Sequence, residues 1–468
     1  MTAGTGRDAR PGFDRRLIAP MILGSILNPI NSSMLAVALI PIGQAFGAPP
    51  SETAWLVSAL YLATAIGQPV IGRLVDAFGP RPLYLIGTGL VGFAGLLGVV
   101  APTLGVLIAS RVLLGFGTSA AYPASMSLLR TESDRTGMRS PAGILAALSI
   151  ANQVVAVIGP TLGGVLIGLG GWHLIFAINV PLSLACLALG ALRLPRRPRR
   201  TADDPPVRVD VVGMAWFAAT LTTFLLFLMD PGLAQWWLLA LAGIAALGFV
   251  RRERHVDEPF LDLRVLRGNG PLLATYGRQV LAYTVSYGFM YGFTQWLEDG
   301  RGMTPAHAGL LMLPMSLSAI AVTVLVGRRP GVRGKLVAGS VTLVAACASI
   351  LLLTGSSPVG ALVGVGVLLG VPQGLNGLAN QNALYAQADP DRMGSSAGLL
   401  RTFMYLGAMV AAATNAAFYA DGATTAGLHD LGAFMLVVAV LLVVAVVADR
   451  SLGRYGYPGA RPSSGGRP

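Results

Sequence analysis

Asn28 and Asn31 stand three residues apart in the stretch ILNPINSSMLAVAL, with Pro29 between them and Ser32 directly after. An amide donates and accepts hydrogen bonds but has no proton to exchange, so this pair can bind and orient a ligand without titrating. Three residues apart on a helix, the two share a face. In an otherwise apolar run they are costly unless something polar lies opposite, and the spacing predicts a polar cavity wall. The same chemistry recurs in Asn152 and Gln153, and in Gln373, Asn376 and Asn380 of PQGLNGLANQNALY. Any one of these amides alone suits a bond between helices; as a set they suit a cavity. Tyr283, Tyr287 and Tyr291 recur every four residues with Gln279 nearby, a stripe of aromatic faces with hydroxyl tips suited to amphiphilic molecules. Arg278, in the same run, either snorkels to the inner surface or lines the inner cavity.

Groups able to exchange protons are sparse where they matter. Glu298 and Asp299 close an apolar run, Asp76 sits in a turn, and His307 follows in the next segment. The apolar cores hold no acid, and no paired carboxylates, Cys/His couple or metal-ligand cluster stands out. Glycine runs such as GTGLVGF lack the Gly-Lys-Ser/Thr of a phosphate loop. These residues suit binding and passage rather than bond-breaking, so no enzyme activity, cofactor or metal is expected. Cys186 and Cys347, the two cysteines, lie in separate apolar runs and read as buried thiols.

Composition says what must position these groups. The chain has 468 residues, 54% hydrophobic and only 12% charged, with a mean hydropathy of +0.67. Soluble domains carry about a quarter charged residues, so this is a membrane composition. Spanning helices need roughly 20 mostly apolar residues, and about fourteen such runs are present. They lie near 18–43, 53–75, 83–101, 104–129, 140–168, 173–194, 211–229, 235–250, 271–297, 304–327, 335–355, 358–386, 395–420 and 430–449, the eighth being the shortest. The first run is too long for a cleaved leader.

The net charge of +12 is not a nucleic-acid surface, because the arginines fall in short clusters between the apolar runs. Placing both termini in the cytoplasm puts every cluster on the inside: Arg73 and Arg81; Arg130, Arg135 and Arg139; PRRPRR; RRER; GRRPGVRGK; and the arginines of the tail. Glu52, Asp230, Glu298, Asp299 and Asp421 then lie outside, with Arg301 as the exception. The expected organisation is a six-helix bundle over 1–194, a linker with two inserted helices over 195–268, a second six-helix bundle over 269–450, and a cytoplasmic tail over 451–468. GRLVDAFGPRP in the first half is faintly echoed by GRRPGVRGK in the second, without the aspartate.

The loop GRLVDAFGPRP, with Gly72, Asp76, Gly79 and Arg81, resembles the Gly-x-x-x-Asp-x-x-Gly-x-Arg signature of the major facilitator superfamily. The resemblance implies an all-α fold of two six-helix bundles, with Asp76 latching the halves on the cytoplasmic side. Arg111, Gly115 and Gly117 in SRVLLGFGTSAAYP are similar to that family's fourth-helix motif, with Leu114 where glutamine is common. An arginine at bilayer depth costs about 2.5–3.5 kcal/mol, so Arg111 is expected to face a polar cavity or a partner. Gly159, Pro160, Gly163 and Gly164 in VIGPTLGG resemble a Gly-Pro-x-x-Gly-Gly motif associated with antiporters. GWHLIFAINVP, EPFLDLRVLR and LEDGRGMTPAHAGLLMLP resemble sequences of the fourteen-helix drug:proton antiporter branch.

That branch implies a monomeric exporter of hydrophobic or amphiphilic molecules in the plasma membrane. The scarcity of lysine (Lys335 alone) beside abundant arginine, alanine and glycine suits a high-GC bacterium. The branch usually carries a first-helix aspartate at the position of Asn31. Proton coupling is therefore expected through a displaced group, with Glu298, Asp299, Asp76 and His307 as candidates. The alternative is a facilitator, or a lipid or metabolite transporter, without coupling through the first helix.

Overall fold

The computed structural model of the chain describes residues 13–137, 141–196, 209–229, 232–327, 329, 331–420 and 422–454. The first arginines, Arg139, most of the PRRPRR linker, Asp230, Asp421 and most of the tail lie outside the described residues. Fourteen long segments follow the apolar runs: α1 (Ile18–Leu35), α2 (Trp55–Phe78), α3 (Pro80–Val99), α4 (Leu104–Thr118, continued by Ala121–Thr136), α5 (Ala142–Gly170), α6 (Asn179–Arg193), α7 (Val211–Met229) and α8 (Trp236–His255). Then come α9 (Gly270–Gln295), α10 (Pro305–Val326), α11 (Arg333–Ile350), α12 (Val359–Gln387), α13 (Met393–Phe418) and α14 (Thr425–Ala448).

Among the described residues, twelve helices are long and apolar enough to cross a membrane. The other two long segments are α8, which ends in the charged RRER, and α9, which carries Arg278, Gln279 and the tyrosine stripe. The fold is all-helical. The first helix is shorter than its apolar run, ending at Leu35 and resuming as a separate helix, Leu39–Phe46. Pro29 removes a backbone donor, and Ser32 and Ser33 donate back to the carbonyls of Asn28 (3.0 Å) and Pro29 (2.7 Å), a pattern that bends helices. Between α2 and α3 the chain turns on Gly79, whose φ of 93° suits glycine, and Pro80 starts α3 where its missing N–H costs nothing.

The packing has an approximate two-fold logic. The first six helices and the last six meet through α2 with α13 and α5 with α10, and α13 packs further on the second part of α4 and α12 on α5. In each of the first two pairs the second helix of one set meets the fifth of the other. The inserted α7 packs on α8 and also touches both α2 and α13, covering that seam. The start of α1 and the end of α14 lie on one face, here the terminal face. There Asp14 N–H donates to Glu132 at the end of α4, Asn269 to Gln387 at the end of α12, and Arg278 pairs with Asp449.

Candidate functional site

The seam between α2 and α13 is built from small residues at helical spacing. Starting at the terminal face, Gly394, Gly398, Thr402 and Tyr405 of α13 run against Gly72, Gln68–Pro69, Ala65 and Tyr61 of α2. Gly72 and Gly394 meet backbone to backbone, and a Cβ on either would collide with the other helix's main-chain atoms. Asp76 lies beside them and accepts from the N–H groups of Gly394 (2.7 Å) and Ser395 (2.8 Å) and from the Ser395 hydroxyl. These are first-turn donors of α13, where unpaired N–H groups and the helix dipole favour an anion. Arg81 donates to the Ala191 carbonyl at 2.9 Å, joining the start of α3 to the end of α6. Further along, Thr402 donates to the Ala65 carbonyl at 2.6 Å.

At mid-depth the seam reaches Asn28. Its amide donates to Thr64 (3.2 Å) and Thr118 (3.0 Å), and its carbonyl accepts from the Tyr405 hydroxyl at 3.0 Å. One amide thus joins α1, α2, α4 and α13 across both halves. On the other seam, Gln153 of α5 donates to Thr323 of α10 at 3.3 Å, and Gly327 of α10 packs on Ala146. Each of these inter-half contacts lies between mid-depth and the terminal face, so the halves are tied together on that side.

Beyond Asn28 stands a column of tyrosines. Tyr283, Tyr287 and Tyr291 of α9 follow one another at centroid spacings of 6.0 and 5.6 Å, and Tyr61 and Tyr405 pair at 5.5 Å. Tyr61, Tyr283, Tyr287 and Tyr405 belong to one packed cluster, so α2 faces α9 across this column. At its inner end the Arg401 guanidinium lies 4.1 Å over the ring of Tyr122 on α4. A desolvated cation–π contact contributes about 2 kcal/mol, against roughly 2.5–3.5 kcal/mol for an arginine deep in a spanning helix. The contact offsets only part of the cost. Sequence reasoning passed over Arg401, although an arginine within LLRTFMYLG carries the same signal as Arg111. Tyr61, Tyr122 and Tyr405 were missed as single tyrosines without a repeat.

The structure corrects the cavity assignment for four amides. Asn31 is fully buried and points away from the inter-half space: its Nδ2 donates to the Leu27 carbonyl (2.8 Å) and to Asn179 Oδ1 (2.6 Å), and Asn179 Nδ2 donates back at 2.9 Å. Asn28 and Asn31 share a broad face, but the angle between them is enough to send one to the centre and the other to α6. Asn380 donates to Gln279 at 3.0 Å, joining α12 to α9, and Asn376 lies against Gly339 of α11, all three side chains being buried. A buried amide is tolerated where another polar group meets it, which the contacts of Asn31 and of Asn380 with Gln279 provide, whereas the Asn376 oxygen has no protein partner.

Asn28, Ser32, Asn152, Gln153, Gln373 and Tyr283, Tyr287 and Tyr291 remain half-buried. Asn152, Gln153 and Gln373 each hold a buried side-chain oxygen with no protein partner, as do Asn376 and Asn380. Gly377, one turn from Gln373, lies 3.4 Å from the Tyr283 hydroxyl for an added Cβ, which turns that face of α12 toward the column.

Arg111 is fully buried and does not snorkel to a surface. Its Nε donates to the Leu56 carbonyl (3.1 Å) and Nη2 to the Asn31 carbonyl (3.3 Å), so main-chain oxygens of α2 and α1 hold it. Gly115 lets α4 approach Leu60 and Ala63 of α2, and Gly117 lets it approach Gly87 and Val91 of α3. Gly159 and Gly163 of α5 pack on Ser33 and Met34 of α1, with Pro160 between them. Gly164 has nothing near the position of a Cβ and takes no part in that seam. Glu298 and Asp299 lie in the turn Trp296–Gly300 at the far end of α9; burial and then the Asp299 carboxylate raise the Glu298 carboxyl above its ordinary value. His307 is exposed in the first turn of α10, against Thr304. The site therefore gathers amides, tyrosines and one arginine, and leaves the candidate acids at its two ends.

Two sets of six helices in an all-helical chain with twelve membrane-length helices among the described residues, joined by seams of small residues around a polar middle, define a transporter fold. The chain belongs to the Major Facilitator Superfamily, which it matches over residues 21–412. It is 31% identical over 423 residues to the uncharacterized MFS-type transporter YwoD of Bacillus subtilis (strain 168), covering 88% of this chain and 92% of the relative. It is 28% identical to the tetracenomycin C resistance and export protein of Streptomyces glaucescens, over 87% of this chain and 75% of that one. The lincomycin resistance protein of Streptomyces lincolnensis is 29% identical, over 91% of this chain and 90% of that one. The crystal structure of the human organic anion transporter MFSD10 (TETRAN) superposes with a TM-score of 0.66 at 17% identity, covering 92% of this chain and 99% of that chain. The proton:xylose symporter XylE gives 0.62 at 12% identity, over 92% and 95% of the two chains. These two likenesses concern the fold alone.

Proposed function

We propose that this protein exports a hydrophobic or amphiphilic small molecule across the plasma membrane by alternating access, as a member of the fourteen-helix drug:proton antiporter branch with both termini in the cytoplasm. The observation that carries this reading is the α2–α13 seam, closed at the terminal face by Asp76 and the Gly72–Gly394 contact, below a half-buried surface of tyrosines and amides. Such a seam has two stable arrangements, open and packed, because glycine contacts hold only when fully closed. Several relatives bear names of resistance and export, which supports small-molecule cargo.

Proton coupling belongs to this reading and runs through Glu298, Asp299, Asp76 or His307, since the Asn31–Asn179 pair has no proton to exchange. That neutral pair also favours a second reading, a facilitator without coupling. The test is a screen of amphiphilic antibiotics in proteoliposomes with a pH-sensitive dye inside. Substrate-driven proton flux that disappears in Glu298→Gln or Asp299→Asn supports coupling through the outer acids. Transport with no proton flux supports the facilitator, and no transport of any compound overturns both.

A further inference from the structure

Three arginines lie deep in the helices, and their surroundings differ. Arg278 is paired with Asp449 at 2.5 Å, and Arg111 is held by two main-chain carbonyls. Arg401 has neither kind of partner. Its guanidinium meets the Tyr122 ring face and Met404 Sδ at 3.7 Å, and among the described residues no carboxylate lies within ion-pair distance of it. The phenols of Tyr122, Tyr283, Tyr287 and Tyr405 surround it closely enough to interact electrostatically. A neutral phenol orients its dipole toward a cation but does not neutralise it.

A guanidinium presents five N–H donors in a planar fork that matches a carboxylate bidentately. Here the fork stands at the inner end of a tyrosine column whose three α9 rings are spaced 6.0 and 5.6 Å apart, a run comparable in overall length to a three-ring fused aromatic laid along it. Cation and column lie between the two halves, with Tyr122 on α4 and Arg401 on α13. We infer that the central site takes an aromatic organic anion, its carboxylate or ionised phenol gripped by Arg401 and its rings stacked along Tyr283, Tyr287 and Tyr291. The inference rests on the transport reading only for the ligand's passage; the binding preference stands by itself. It also disfavours lipophilic cations, which would meet a positive charge that no carboxylate among the described residues pairs.

The experiment uses the full chain in nanodiscs and fluorescence binding with empty discs subtracted. The probes are anthracene-9-carboxylate, its neutral carboxamide and 9-anthracenylmethylammonium, with the matching naphthalene set. The wild type is expected to bind the carboxylate at least ten-fold more tightly than the amide, with the ammonium weakest. Arg401→Gln is expected to erase that preference, and Arg401→Lys to retain part of it, as a point charge without the fork. Equal or weaker binding of the carboxylate on both scaffolds, including no binding at all, overturns the inference without any variant needing to fold. So does an Arg401→Gln protein that is monodisperse and keeps the preference. The same probes in proteoliposomes separate the two claims: a carboxylate bound but never moved sinks the transport reading alone, whereas neutral or cationic cargo moved with no anion preference sinks this one alone.

Discussion

Asn31 on α1 and Asn179 on α6 exchange a pair of hydrogen bonds, 2.6 and 2.9 Å long, with both side chains fully buried. The pair holds two helices of the first half together and supports, through the Asn31 carbonyl, one of the contacts of Arg111. Replacing either residue by leucine strands the other's amide in an apolar setting, at a cost of about 1–3 kcal/mol, whereas replacing both removes the need for a partner. Asn31→Leu and Asn179→Leu are each expected to lower the apparent Tm in detergent, and the double variant to recover most of the loss. Simple addition of the two losses would show that the pair is not coupled.

Asn31 is also where the resembling branch places an aspartate. Asn31→Asp is expected to give transport a pH dependence that the wild type lacks at this site, because a carboxylate there titrates and the Asn179 amide already donates to this side chain. The check is substrate flux in proteoliposomes from pH 5 to pH 8, compared with Asn31→Leu. Identical profiles in the two variants would remove this position from proton chemistry.

Asp76 caps α13 across the seam with charge-assisted bonds to Gly394 and Ser395. Asp76→Asn keeps the shape but loses the charge and one acceptor, at about 1–2 kcal/mol. That is enough to move the balance between closed and open terminal faces by about five-fold to thirty-fold. Spin labels on Phe78→Cys and Asp391→Cys report this distance directly, and the native Cys186 and Cys347 are buried and leave the labelling specific. A longer-distance population should grow in Asp76→Asn; an unchanged distribution would mean that the seam holds without the capping carboxylate.

Much of this site is legible in the chain because its signals are local. Apolar runs of spanning length give the helices, and the glycines of GRLVDAFGPRP and VIGPTLGG mark close approaches, which the backbone contacts of Gly72, Gly159 and Gly163 display. The tyrosines of α9 announce themselves by recurring every four residues. What a single chain pass does not give is azimuth between helices. Asn28 and Asn31 differ by a fraction of a turn, yet one reaches Tyr405 across the halves and the other is sealed against α6. Asn376 and Asn380 follow the same logic against α11 and α9. Arg401 stands out in LLRTFMYLG as Arg111 does in its run, but only packing reveals that, among the described residues, no carboxylate lies within ion-pair distance of it.

The α13 side of the seam makes a sharper prediction about movement. A Cβ on Gly398 would run into the carbonyl of Gln68 and the Cα of Pro69, backbone atoms that have no rotamer to yield. Gly398→Ala is therefore expected to expel the closed terminal face while leaving each half folded, so the protein expresses and melts normally but transports at less than a tenth of the wild-type rate. Gly164→Ala, in the antiporter-like motif but with open space at its Cβ, is the matched control. It is expected to change stability by no more than about 0.5 kcal/mol and leave transport intact. Equal activity in both variants would show that α2 and α13 do not need this contact to cycle.

Arg278 resolves a choice that its position in the ninth segment leaves open, between snorkelling to the surface and lining a cavity. It does neither: fully buried, it donates to Asp449 at 2.5 Å and to Thr275 at 2.6 Å, fastening the start of α9 to the end of α14. Removing one partner of such a pair leaves a buried charge unmet, which costs about 3–5 kcal/mol, while replacing both is far milder. Asp449→Leu alone should therefore cripple folding or lower the apparent Tm steeply, and Arg278→Met should do the same from the other side. The Arg278→Met/Asp449→Leu double variant should recover most of the stability and, because the pair lies away from the tyrosine column, keep transport near wild type. Stability restored without transport would instead give this fastening a part in the cycle, holding α14 to α9 as the halves rock.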